Sequence, residues 1–399
     1  MKKLLMSLLC FAMAFSAVGC MGSDANKDSG NATDSSVNET ADSGSADSST
    51  NTDSNGDSSN DEQKIDPTAI SNAMPFSEGY AFVHLNKDLS KEYCIDKQGN
   101  IIFTLDVGVA YETTGFYNGI CAYGSAWDEM SICDKTGKIT TAEDLGGTRI
   151  PMLTRNQGMT DAFRGGYFFV EKTETTFADS VTKMAIFNSK LEKIVDFSEE
   201  LAEIYGNCYR SEYYYGYLVS STYEVLDLST GKLVEDVEGL IDKVEIEHAS
   251  DLWYYKDGGY YNKFFDTETP KIDLSEYSET LGTASDFKDG EAYLVFNSNN
   301  INFFTILLDN GDFAFEPVQL EGTSVSVARE AGKYVVATSG AGEIKLQIFD
   351  KNGVQSEAVL DSNLRTTIEI QDGVILVRVN DNLKASYEYY NLDLTKLFG

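Results

Sequence analysis

The chain has 399 residues, with 64 acidic against 31 basic side chains, a net charge of −33, two histidines and five prolines. That acid surplus repels nucleic acid and anionic lipid headgroups and disfavours both as partners. The two histidines, His84 and His248, sit far apart, beside no paired cysteines and in no H-E-x-x-H helix, so no metal, cofactor or catalytic residue is assigned.

Residues 1–19 read as a leader. Lys2 and Lys3 form a positive start, and Leu4 to Ala17 an apolar run too short to span a membrane comfortably. The run Ala17-Val18-Gly19-Cys20 resembles the lipobox of bacterial lipoproteins, which implies cleavage before Cys20 and a diacylglycerol thioether on its sulfur. An acylated Cys20 would hold the chain at the outer face of a cell membrane. Residues 20–65 form the next unit. From residue 21 they are almost wholly Ser, Asp, Asn, Thr, Gly and Ala, with a balance of −8. They are predicted to stay disordered as a tether, because they bury too little apolar surface to offset chain entropy. Asp53-Ser54-Asn55-Gly56-Asp57 looks briefly like a calcium loop but lacks the later bidentate Glu.

Residues 66–399 carry a short pattern eight times. Its closing positions are Asp96, Asp134, Asn188, Asp227, Asp266, Asp309, Asp350 and Asn391, spaced 38, 54, 39, 39, 43, 41 and 41 residues apart. The first unit runs Pro75-Phe76-Ser77-Glu78-Gly79-Tyr80-Ala81-Phe82-Val83, then Tyr93-Cys94-Ile95-Asp96-Lys97-Gln98-Gly99. The second echoes it with Phe116-Tyr117-Asn118-Gly119-Ile120 and Ile132-Cys133-Asp134-Lys135-Thr136-Gly137. Asp-Lys-x-Gly is turn chemistry: the carboxylate caps backbone amides and Gly takes a positive φ. The flanking aromatic and β-branched runs pattern as strands, at 68–74, 79–85, 91–96 and 101–105 in the first unit. Helical periodicity is confined to Ser198 to Tyr205. Four strands in about 42 residues, repeated, predict an all-β fold: a β-propeller of eight four-stranded blades, with seven blades or an open solenoid as alternatives.

The F-x-x-G-x-A-x-V and I-D-K-x-G-x-I-I pattern resembles the WG-repeat (KWG-type) proteins of bacterial surfaces, although no Trp-Gly dipeptide occurs. The likeness is good over 75–140, fair over 287–355 and skeletal elsewhere. It implies a binding or scaffold role without catalytic residues.

Of the later cysteines, Cys94, Cys121, Cys133 and Cys208 read as buried thiols, with Cys121 and Cys133 facing across a hairpin near Trp127. The widest gap, 134–188, holds Arg149, Arg155 and Arg164, a basic exception in an acidic domain, and insertions in repeat arrays gather on one face. Tyr214, Trp253 and Tyr255 belong to dense aromatic runs that serve either as ligand-stacking rings or as core. These six residues form the candidate ligand site. The expected function is a monomeric, lipid-anchored extracellular module that binds a cell-surface protein, peptide or glycan. The rival readings are a carbohydrate-active enzyme using two carboxylates and a spacer without ligand.

Overall fold

The computed structural model describes residues 64–398 except 108–110, 126–129, 152–156, 176–179, 208–211, 220–223, 236–252, 263–268, 341–342, 362–364 and 382–383. The leader, Cys20 and the tether to residue 63 lie outside the described residues, as do Trp127, Arg155, Cys208, His248 and Asp266.

The described residues form eight small antiparallel sheets, each pairing strands in sequence order. They span 70–106, 111–140, 167–198, 212–233, 253–273, 281–320, 324–361 and 365–391, and are numbered here as blades 1 to 8. The fold is an eight-bladed β-propeller: the first strands of neighbouring blades pack together, as Ser324–Glu330 does on Arg365–Gln371, and lie innermost except in blade 3, where Arg149 bridges inside the first strand. In blade 1 the strands are Ile70–Ala73, Tyr80–Leu85, Asp88–Asp96 and Ile101–Asp106, within three residues of expectation. Four strands per blade holds for five sheets; blades 3, 5 and 8 have three among the described residues. Single bridges partly replace the missing strands, Arg149 with Glu171 inside blade 3 and Tyr390 with Lys396 outside blade 8. Two helices interrupt the strands, α1 (Gln157–Arg164) and α2 (Glu199–Asn207). The second was expected. The first lies in a stretch whose sequence reads as loop.

Middle strands are buried on both faces, and that sets their composition. Ala81, Val83 and Ile95 pack on Val374, Leu376 and Tyr389 of blade 8. Their neighbours Phe82 and Cys94 point the other way, onto Phe116, Cys121 and Cys133 of blade 2. A strand between two blades therefore carries an almost unbroken apolar run instead of strict alternation. Cys94, Cys121 and Cys133 are free and buried, with Cys121 directly opposite Cys133. Burial pushes the Cys94 and Cys121 thiols up.

Blade 8 closes the ring on blade 1. The Tyr389 hydroxyl donates to the Met74 carbonyl at 2.6 Å, and the Tyr389 ring meets Phe76 edge-on with centroids 5.0 Å apart. Ile65, assigned to the tether on composition, joins this same apolar cluster. No helix among the described residues is long and apolar enough to cross a membrane.

Candidate functional site

The repeat motif F-x-x-G turns the chain from the innermost strand of a blade into the second. Glu78 (φ 53°) and Gly79 (φ 90°) are both left-handed, the signature of a type I′ hairpin turn. The same pair recurs at Asn118-Gly119, Tyr215-Gly216, Asp257-Gly258, Asp289-Gly290, Ala331-Gly332 and Asp372-Gly373. The motif's aromatic wedges against the preceding blade: Phe116 stacks on Phe82 at 5.4 Å, and Phe287 meets Tyr260 at 4.7 Å.

These turns link to one another around the axis. Glu330 accepts from the amides of Asp372 (2.5 Å) and Gly373 (2.9 Å). Asp372 in turn accepts from the Gly79 amide at 2.6 Å. Glu78 accepts from Asn118 (2.5 Å) and Gly119 (2.9 Å). The Lys of Asp-Lys-x-Gly completes the link: Lys97 donates to the Asp372 carbonyl at 2.6 Å, and Lys135 reaches the Glu78 carboxylate at 2.9 Å. Burial raises the Glu78 pKa, but Lys135 and the two amides outweigh it and hold the carboxyl below its ordinary value. The Asp of the same motif caps its own turn, as Asp96 does by accepting from the Gln98 and Asn100 amides, both at 2.9 Å. Both halves of the repeat are thus fastenings between and within blades.

Unit 3 departs from this pattern. Its motif is Phe163-Arg164-Gly165-Gly166, carried at the end of α1. Arg164 takes the second motif position, held by Ser77, Tyr117, Tyr214 and Gln371 in units 1, 2, 4 and 8. Three of these meet. The Arg164 guanidinium lies 5.3 Å over the Tyr117 ring, and Gln371 Nε2 donates to the Tyr117 hydroxyl at 3.0 Å. That link joins blade 8 to blade 2 and skips blade 1, which carries the small Ser77 at this position; the Ser77 hydroxyl donates to the Phe116 carbonyl. Asp161 (3.2 Å) holds one edge of the guanidinium, and the Asn118 amide donates to the Arg164 carbonyl at 3.0 Å. Two residues before Gln371, Glu369 is open to solvent, yet surrounding protein desolvates it enough to raise its pKa against the pull of Arg378 and Arg164.

Arg149 sits on the inner bridge of blade 3 and is paired with Glu171 at 2.8 Å, an exposed pair worth little in stability. Tyr214 is half-buried on the innermost strand of blade 4, opposite Tyr217. Trp253 and Tyr255 lie on the innermost strand of blade 5, but their rings pack inward, Trp253 against Phe287 (5.2 Å) and Tyr255 against Tyr260 (5.6 Å). They contribute core between blades 5 and 6. The sequence alone does not single out Tyr117 and Gln371; their motif position is the available signal. A second polar cluster lies between blades 1 and 2. Glu92, 3% exposed, accepts from the Thr113 hydroxyl at 2.6 Å, with His84 Nε2 at 3.7 Å. Burial pushes the Glu92 carboxyl up to about 7, opposed by the Thr113 bond, and also lowers the His84 pKa. Both shifts favour the neutral forms, which weakens ion pairing between the two groups.

No family model matches the chain, and no curated protein matches it. Among solved structures it is similar to Kluyveromyces lactis Hsv2 (10% identity, TM-score 0.33, 82% of this chain and 95% of that one). It is also similar to the β-propeller domain of Cps50 (Swd1) from Myceliophteria thermophila (10%, 0.33, 82% and 98%). A third is the Pyrococcus horikoshii acylaminoacyl peptidase (10%, 0.37, 83% and 52%).

Proposed function

We propose that the chain is a lipid-anchored extracellular binding or scaffold module for a cell-surface protein, peptide or glycan. The observation that carries this reading is the convergence of Arg164, Tyr117 and Gln371 from three repeat units at the axial end of the ring. A guanidinium, a phenol and an amide held in fixed geometry are recognition chemistry. The lipobox-like run ending at Cys20 supports attachment, and the acidic, polar tether supports a reach away from the bilayer.

The test is an array of cell-surface glycans and proteins probed with the full chain and with Arg164→Ala. Specific capture that weakens in the variant supports the reading. Turnover of a polysaccharide, or no capture of any component, rejects it. Attachment is tested separately by Cys20→Ser, which should move the protein from the membrane fraction to the medium.

A further inference from the structure

We propose that the axial mouth formed by Arg164, Tyr117 and Gln371 binds a carboxylated sugar, with the Arg164 guanidinium gripping the carboxylate. The inference rests on the reading of the chain as a binding module and names the ligand class of that same site.

Four observations lead to it. First, the motif's second position carries Arg164, Lys256 and Lys288, all exposed, within a chain of net charge −33. The single carboxylate at that position, Glu330, is engaged by the amides of Asp372 and Gly373. Second, Arg164 differs from the two lysines in its own turn. Lys256 and Lys288 are each followed by an exposed Asp, Asp257 and Asp289, whereas Arg164 is followed by Gly165. Third, Arg164 is pre-set. Asp161 holds one edge and the Tyr117 ring covers one face, yet 46% of the side chain stays accessible. A planar fork held this way loses little entropy on gripping a carboxylate. Fourth, hydrogen-bonding capacity remains beside it. Gln371 uses its Nε2 on the Tyr117 oxygen, which among the described residues leaves Gln371 Oε1 as acceptor and the Tyr117 O–H as donor. A guanidinium next to one hydroxyl donor and one amide acceptor matches a carboxylate flanked by sugar hydroxyls. An acidic peptide offers carboxylates without that row of hydroxyls, so it is the weaker match.

The experiment is isothermal titration of the full chain with oligogalacturonate and with a neutral galactose oligomer of the same length. The acidic oligomer should bind and the neutral one should not. Arg164→Lys keeps the charge but loses the fork and the ring contact, and should weaken binding about ten- to hundredfold. Gln371→Leu should weaken it less, with both variants melting like the parent. Absence of oligogalacturonate binding, equal binding of the neutral oligomer, indifference to Arg164→Lys, or stronger capture of an acidic peptide would each overturn the inference. If the surface array still finds another ligand, only this inference falls. If it finds none, the binding-module reading falls with it.

Discussion

Replacing Glu92 by Gln should make the protein more stable in alkali, an unusual outcome for deleting a carboxylate. Glu92 is 3% exposed, and among the described residues its carboxylate accepts a hydrogen bond from Thr113. Its carboxyl rises from 4.5 to about 7 because burial penalises the anion. The folded state therefore holds the proton more tightly than the unfolded state does. Stability from this group is full below about pH 4.5 and is lost as pH climbs through about 7. The separation of the two values corresponds to about 3 kcal/mol between roughly pH 5 and pH 9. Gln keeps an acceptor for Thr113 and carries no charge at any pH. Urea unfolding of parent and Glu92→Gln at both ends of that range gives the difference directly, and titrations elsewhere, including His84, largely cancel. The variant should match the parent within about 1 kcal/mol in acid and exceed it by roughly 2–3 kcal/mol in alkali. A difference that stays constant with pH would refute the reasoning, since it would mean that Glu92 titrates alike in both states.

Three further outcomes follow from the fastenings between blades. Glu78→Gln should cost under about 1 kcal/mol near neutrality and nothing in strong acid, because a lowered carboxyl contributes above its ordinary value and loses that contribution as pH falls; acid-limb melts against the parent test this. Gly119→Ala meets no atom within 4 Å, so the whole cost, about 1–2 kcal/mol by urea titration, should come from the left-handed backbone at φ 87°. Cys94, Cys121 and Cys133 should resist a disulfide-exchange thiol reagent in the native protein and react together on unfolding; rapid labelling of the folded chain would contradict their burial.

The architecture was legible because its signals are local. Asp-Lys-x-Gly and F-x-x-G each specify a turn within four or five residues, so strand positions and the count of eight could be read from the chain. What stayed hidden depends on the ring. Phe163-Arg164-Gly165-Gly166 is a motif copy, but α1 delivers it after an insertion, and the unit therefore reads as a loop. Trp253 and Tyr255 could not be told from ligand-facing rings, since the choice of face is decided by the neighbouring blade, here through Phe287 and Tyr260. The contact of Gln371 with Tyr117 joins residues 254 apart, and no local pattern records it. Glu92 carries no sequence sign of its shift, because burial between two blades exists only after they stack.

The seam between blades 8 and 1 also governs the order of events during synthesis. Ile70, Ala81, Val83 and Ile95 emerge early, but their cover, Val374, Leu376 and Tyr389, is translated some three hundred residues later. Until then the nascent chain displays a sticky apolar sheet face, and domains are translated from the N-terminus onward. Chaperone holding would protect that face, and a chain truncated before residue 374 should aggregate rather than fold as a seven-bladed remnant.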